Sequence, residues 1–386
     1  MIYFDHNAST PVRPEAAEAM RSALANLHAN PSSSHREGQR ARAAVERARA
    51  QVAALVEARP DEVVFTSGGT EGDHAGLMGA AWAAEARGRR VAISAIEHHA
   101  VHGAAEVLER LGYTATQLPV GREGLVDPAA IATLPADTTV VAVMLANNET
   151  GVIQPIAAVA AAASARGMRL VCDAVQAAGK IPIRRDDLGA DYLVISGHKF
   201  GGPKGVGALI VRTGAPFEPL FRGSAQERGR RGGTENLPGI VALGVAAECA
   251  ARELEAEQGR LLELRAQLEA GLRAALPGAV VHGARAPRLP NTVNVSIPGA
   301  RSDHLLMALD ARGVAVSAGA ACASGAVESS PVLAAMGVSR ELAVCALRLS
   351  MGRGTRADDV ARVVAALAES AQAARNLAVP APGAAR

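Results

Sequence analysis

Lys199 closes the segment Ser196-Gly197-His198-Lys199, directly after the apolar run Tyr192-Leu193-Val194-Ile195. Its residue type is scarce. Of 40 basic residues only Lys180, Lys199 and Lys204 are lysines, and the rest are arginines. Arginine keeps its proton near neutral pH and cannot attack a carbonyl, whereas a lysine amine can once its pKa is lowered. A lysine kept where the chain otherwise uses arginine is a candidate for amine chemistry. At the end of a buried strand it suits the capture of an aldehyde cofactor as a Schiff base. The plain alternative is codon bias, with Lys199 an ordinary surface cation.

Three other stretches bear on that choice. Thr66-Ser67-Gly68-Gly69-Thr70-Glu71 follows a strand-like run and opens a helix-like one. Gly68 and Gly69 let backbone approach an anion, and a helix start offers free N–H groups and a positive dipole. Ser196 and His198 are further donors for the same anion. A Gly-Gly turn with a Thr cap is also a common structural device, and no GxxxxGK[ST] loop is present. Asp173 ends the run Leu170-Val171-Cys172, where a buried carboxylate calls for a cationic partner. A protonated pyridine nitrogen would serve and would make its ring an electron sink, with Gln176 within reach of a ring oxygen. Capping of a following helix explains Asp173 equally well. His98 lies in Glu97-His98-His99-Ala100-Val101-His102. With His102 it shares a helical face, as metal ligands would, but no further ligand cluster accompanies the pair, so no metal is expected. A flat imidazole over a cofactor ring is the better use in a chain with 2% aromatics. His99 and His102 read as surface residues of a helix start.

The elements that must position these residues are short β-branched runs alternating with Ala-rich helical stretches. Strands are expected at Val63–Phe65, Val91–Ser94, Val140–Leu145, Leu170–Asp173, Tyr192–Ser196 and Val206–Val211, with helices such as Pro155–Arg166 between them. Such alternation predicts an α/β fold with a mainly parallel sheet sandwiched by helices. Ligands on such sheets collect at the carboxyl ends of the strands, where the polar stretches fall. A long charged helix over Glu248–Ala275 leads into a second, smaller α/β unit: strand Asn291–Ile297, helix Ser302–Ala311, strand Ala346–Met351 and helix Arg356–Ala374. The expected division is a large domain of residues 14–256 and a small domain of 1–13 with 257–375. A tail, 376–386, is expected to be disordered.

Composition narrows the class. With 386 residues, 49% of them hydrophobic, the chain can bury large cores. A net charge of +2 makes no case for nucleic acid. Four scattered cysteines, Cys172, Cys249, Cys322 and Cys345, form neither a disulfide framework nor a CxxC zinc pair. The N-terminus has no basic and apolar leader pattern, and no apolar run approaches the ~20 residues of a membrane helix. The expectation is a cytoplasmic protein with reduced thiols and no membrane association.

Taken in order, these pieces resemble the cysteine desulfurases, fold-type I pyridoxal-phosphate enzymes of the class V aminotransferase type that take sulfur from cysteine. The resemblance runs from Tyr3-Phe4-Asp5-His6-Asn7-Ala8-Ser9-Thr10-Pro11 through Thr66–Glu71, Glu97–Val101, Asn147-Asn148-Glu149-Thr150-Gly151, Asp173–Gln176 and Ser196–Lys199. It continues with Gln226–Asn236, Ala321-Cys322-Ala323-Ser324-Gly325 and Leu347-Arg348-Leu349-Ser350. It implies pyridoxal 5'-phosphate on Lys199, Asp173 on the ring nitrogen, Gln176 on the phenolic oxygen and His98 stacked on the ring. Gly69 and Thr70, with Ser196 and His198, would hold the phosphate, joined by Thr234 from a neighbouring subunit, hence a homodimer. Asn148 and Arg348 would hold the carboxylate of L-cysteine, and Arg348 presents the planar fork that such binding favours. Cys322 would be the nucleophile, left as a persulfide for a sulfur-acceptor protein such as an iron–sulfur scaffold. Its run of small residues, Ser317–Gly325, cannot pack a core and suits a thiol that must enter and leave a site. The other three cysteines sit in apolar stretches and read as packing residues. His98, as an imidazole, is expected to titrate near neutral pH and to shuttle protons.

Some positions depart from the family pattern. Gly69 stands where Ala is usual, His74 where Asn is common and Ser9 where Thr is common; Glu328-Ser329-Ser330 lacks the usual proline after Glu. The C-terminus is short of the extension with which housekeeping members dock an iron–sulfur scaffold, which leaves the acceptor open. Other readings are an aminotransferase or selenocysteine lyase on the same fold, and a catalytically silent sulfur-delivery partner. None of the expected site residues is missing, which speaks against the last.

Overall fold

The computed structural model describes residues 1–318 and 330–378. Cys322 and the tail from Val379 onward therefore lie outside the described residues. The strands within them are β1 (Ile2–Tyr3), β2 (Val63–Thr66), β3 (Arg90–Ser94), β4 (Thr114–Leu118), β5 (Thr138–Ala142), β6 (Arg169–Asp173), β7 (Tyr192–Ser196), β8 (Gly207–Val211), β9 (Val280–Val281), β10 (Thr292–Ser296), β11 (Val314–Ala315) and β12 (Ala346–Ser350). Seven form one sheet in the order β2-β8-β7-β6-β5-β3-β4. Only β8 opposes its neighbours; the other pairings are parallel. The mainly parallel sheet expected from the strand–helix alternation is present.

Helices cover both faces. Successive side chains of a strand point to opposite sides. Along β7, Leu193 and Ile195 enter one core while Tyr192 and Val194 enter another. The first core takes in helices Arg36–Leu55 and Ile156–Ala165; the second takes in Gly69–Ala83 and His99–Arg110. This is why β7 reads as a continuous apolar run: all five of its residues are buried. A third core joins β1, β10 and β12 to helices Ser302–Asp310 and Ala357–Ala378. Here β10 lies antiparallel between β12 and β9, and β1 pairs with β11.

One helix, Leu237–Ala275, serves two cores. Its residues through Ala250 pack into the first and those from Leu261 into the third. It starts at Leu237 rather than at Glu248 as its charged pattern suggests. The early turns are buried and apolar, so no amphipathic stripe marks them. The start signals are Asn236, whose side chain accepts the Gly239 N–H, and Pro238 in the first turn. Strand β4 also escapes the search for apolar runs, because it is a partly exposed edge strand of sequence Thr-Ala-Thr-Gln-Leu.

Strand β2 forms the other edge, and side chains take the place of a further strand there. Arg49 donates to Val63 O at 2.9 Å and pairs with both oxygens of Glu227, at 2.7 and 2.9 Å. Glu227 Oε2 also accepts the Phe65 N–H at 3.0 Å. Both ionic side chains are buried, at 5% and 2% exposure. The pair thus anchors the strand that leads into Ser67-Gly68-Gly69. Removing one partner of such a pair strands a buried charge, so Glu227→Ala is expected to cost about 3–5 kcal/mol in denaturant unfolding. Glu18→Ala, which breaks an exposed pair with Arg21, is expected to leave the unfolding midpoint unmoved.

Candidate active site

The carboxyl ends of the central strands open onto one cleft. Asp173 is the last residue of β6, and Ser196 the last of β7, followed by a tight turn over Gly197–Lys199. The segment after β3 brings His98 to the N-cap of helix His99–Arg110. The segment after β2 starts helix Gly69–Ala83. The resulting cleft of about 260 Å³ brings together Gly69, Thr70, His98, Asn148, Asp173, Gln176, Ser196, His198 and Lys199. Asp73, Met144 and Val175 complete its lining.

At one end lies an anion cradle. A helix start leaves its first N–H groups without intrahelical partners. A Cβ at Gly69 would stand 3.0 Å from Val175 Cγ2 and 3.6 Å from Ser196 Cβ, so glycine lets the helix start sit tightly on the strand ends. His198 Nδ1 lies 3.3 Å from Ser9 Oγ, and burial with the Lys199 and Lys204 charges takes its pKa down to about 4.

Across the cleft stand an amine and an acid. Lys199 Nζ donates to Asn7 O at 2.6 Å and Ala8 O at 3.0 Å. Burial, then the Arg348 charge, brings its pKa down to about 8 against the opposing pull of Asp173 and Asp5. The surface-cation reading therefore fails, since burial rather than water sets the state of this amine. Asp173 is buried; its Oδ1 accepts the Val175 N–H at 2.8 Å, and no cation hydrogen-bonds it among the described residues. Burial raises its pKa. Two more buried acids lie close by. Glu97 accepts from Ser94 Oγ and from the Met144 N–H, leaves Oε2 without a partner, and is pushed by burial to about 8. Asp73 has an unpartnered Oδ1 and is pushed up by burial and by the Asp173 charge. Both are driven toward their neutral forms, which leaves Asp173 to carry charge when a cation arrives.

His98 differs from expectation. Although the residue is exposed at the cleft, partial burial of the ring and the charges of Lys199, His99 and His102 lower its pKa to about 4, which favours the neutral form. Its Nδ1 accepts the Ala100 N–H at 3.1 Å, which puts the ring proton on Nε2. A neutral flat ring suits stacking better than proton transfer.

Arg348, on β12, is 5% exposed and reaches toward the same region. Nη2 pairs with Asp5 at 2.7 Å and Nη1 donates to Asn148 O at 3.2 Å. Its Nε is buried without a partner. An orphaned guanidinium donor beside Asn148 fits a ligand carboxylate.

Some expected residues stand apart. Thr234 lies outside the cleft, in a separate cavity of about 110 Å³ beside Ser67, Gly205 and Arg231. Cys322 is beyond the described residues. Cys172, Cys249 and Cys345 are buried, and burial raises the Cys172 thiol far above its ordinary value, as suits packing residues. Among the described residues no three His, Cys, Asp or Glu side chains are placed to hold a metal ion, and no helix is long and apolar enough to cross a membrane. Asp73, Lys180 and Asn7 carried no assignment in the sequence. Lys180 shared the scarcity that marked Lys199, but it lacks a strand end before it. Amine, unpaired acid and glycine cradle in one cleft are the features that a phosphorylated aldehyde with a basic ring nitrogen requires.

Comparison with known proteins gives the family. The family model for aminotransferase class-V matches residues 2–363. A cysteine desulfurase IscS of Dictyoglomus turgidum is 42% identical over 360 residues, covering 93% of this chain and 91% of its own. A cysteine desulfurase IscS of Methanosarcina thermophila is 42% identical, covering 97% and 93%. Among solved structures, a NifS-like protein superposes with a TM-score of 0.88 at 36% identity, covering 95% of this chain and 98% of its own. A NifS-like protein from Rickettsia africae superposes at 0.86 with 31% identity, covering 96% and 99%. The fold is that of a class-V aminotransferase. Within that family, the chain belongs to the cysteine desulfurases.

The electrostatics of Lys199 can be tested on protein freed of bound aldehyde. Reductive capture of a small aldehyde at Lys199 is expected to rise with pH through a midpoint near 8. Arg348→Gln removes a neighbouring positive charge, so the midpoint is expected to move up. A midpoint at the ordinary lysine value, or one indifferent to Arg348, contradicts this account.

Proposed function

We propose that the protein uses pyridoxal 5'-phosphate to convert L-cysteine to L-alanine, passing the sulfur to Cys322. The observation that carries this reading is Lys199 and Asp173 in one cleft: a half-buried amine with its pKa lowered to about 8, and a buried acid that no cation hydrogen-bonds among the described residues. Lys199 Nζ would hold the aldehyde, Asp173 the ring nitrogen and Gln176 the phenolic oxygen, with the neutral His98 ring stacked above. Gly69, Thr70, Ser196 and His198 would hold the phosphate. Thr234 would join them from the second copy of a homodimer, a role supported by its place outside the cleft of its own chain.

When bound, the cofactor supplies an electron sink that weakens bonds at the substrate's α- and β-carbons. The chain does the rest. The Arg348 guanidinium and Asn148 hold the substrate carboxylate and so fix the Cα–H bond. Lys199 Nζ, once free, takes the α-proton as general base; its lowered pKa matches that task. The Cys322 thiolate attacks the substrate sulfur. A sulfur–sulfur bond forms as the carbon–sulfur bond breaks, and the electrons of the broken bond pass to carbon, which gains a proton on the way to alanine. The persulfide then serves an acceptor protein, of the kind that builds iron–sulfur clusters or other sulfur-containing cofactors. The compartment we propose is the cytoplasm, where thiols stay reduced.

Incubation with L-cysteine, followed by separate assays of alanine and of protein-bound persulfide, tests the reading. Equal amounts of the two in the first turnover are expected. Cys322→Ala is expected to keep the bound cofactor's visible absorbance and to lose about 10³-fold or more of the turnover. Undiminished turnover in that variant removes Cys322 from the mechanism. Alanine formation from selenocysteine alone would favour the lyase.

A further inference from the structure

Lys180 has no task in the reaction as described, yet it is 8% exposed and sits against the site. Its Nζ donates to Gln176 Oε1 at 2.8 Å and to Asn7 Oδ1 at 3.0 Å. Both acceptors are amide oxygens. The charges that act on it are those of Lys199 and Arg348, and His6 and His198 lie within reach of its own charge; Glu257, which lines the same cavity, is paired with Arg260. Burial, then the Lys199 and Arg348 charges, hold the amine well below the ordinary lysine range, and no carboxylate hydrogen-bonds it among the described residues. Two acceptors match the two N–H bonds of a neutral amine, so the arrangement survives loss of the third proton. Burial of this kind costs stability and calls for a reason beyond packing.

The hydrogen bonds supply one. Facing a donor, Gln176 must turn its oxygen toward Lys180 and its nitrogen away. Nε2 spends one N–H on Asn7 O at 2.9 Å, which leaves the other for the cleft that Gln176 lines. The same Asn7 oxygen accepts from Lys199 Nζ at 2.6 Å. Asn7 is itself braced by Asn291 and Thr292, at 3.0 and 2.9 Å. The two lysines thus meet through one asparagine.

We propose that Lys180 is a positioning residue for this reaction: it fixes the Gln176 amide with Nε2 toward the phenolic oxygen of the cofactor and locks that donor to the Lys199 amine through Asn7. The proposal rests on the cofactor reading above. Arginine would not substitute, since its planar fork needs more acceptors than the two amides offer.

Lys180→Met keeps the length of the side chain and removes the donor. A hydrogen bond to the phenolic oxygen stabilises its ionised form, so its loss lets the protonated form of the bound cofactor persist to higher pH. The expected result is an upward shift of about one pH unit or more in the midpoint of the cofactor's visible absorbance change. Cofactor content and the borohydride-fixed label on Lys199 are expected to stay as in the wild type. The exposed Lys204→Met is expected to leave the midpoint alone. Gln176→Ala added to Lys180→Met is expected to add nothing, because the lysine acts through the glutamine. Lys180→Gln, milder at a buried site, cannot reach both acceptors and is expected to shift the midpoint the same way by less; it serves if the methionine variant does not fold. A wild-type midpoint in either folded variant, or a lowered melting temperature with no spectral shift, overturns the proposal. Absence of any label on Lys199 in the wild type would instead overturn the cofactor reading, and the proposal with it.

Discussion

A buried carboxylate that no cation hydrogen-bonds among the described residues governs this site. Asp173 ends β6 inside a seven-stranded sheet with helices on both faces, where it accepts one backbone N–H and feels the Lys199 charge only from a distance. Two further buried acids stand beside it, and burial pushes both toward neutrality. The cleft is therefore prepared for one positive charge at one depth. Lys199 does not fill that place, because its amine is committed to the carbonyls of Asn7 and Ala8. A ring nitrogen arriving from the cleft would. The acid sets what can bind, and the amine sets how it is held.

The rest of the structure can be understood as the means of positioning those two groups. The parallel strands put their carboxyl ends on one side of the sheet, and helices cover both of its faces. The N-terminal segment closes the site from a different core. β1 and Phe4 pack with β10, β12 and helix Ser302–Asp310, and the chain then delivers Asp5 to Arg348 and Asn7 to both lysines. Substrate-end and cofactor-end residues are thus joined by three residues of one strand exit. The long helix Leu237–Ala275, shared between two cores, fixes the distance between them.

Much of this was legible in the sequence, for a physical reason. Parallel strands buried on both faces must be apolar throughout, so Tyr192–Ser196 and Leu170–Asp173 announce themselves, and their last residues name the site. What escaped had weaker signals. β4 is polar because it is an edge, and the start of the long helix is uniformly apolar because it is buried. The lowered pKa of His98 depends on its place at the cleft beside Lys199, which no spacing reveals. Asn7 looked like one residue of a motif; its role as a hub appears only when strands from distant parts of the chain converge on it. Thr234 lies in a cavity separate from the cleft, so the role we propose for it needs a second copy of the chain, which one sequence cannot display.

The central claim is that Asp173 keeps a ring nitrogen protonated in a site where water cannot. Reconstitution with pyridoxal phosphate carrying a ¹⁵N ring nitrogen, followed by NMR of the bound cofactor, reads that proton directly. The account predicts a pyridinium signal in the wild-type protein and a neutral pyridine signal in Asp173→Asn at the same pH. A neutral nitrogen in the wild type, or a pyridinium that survives the substitution, would contradict it.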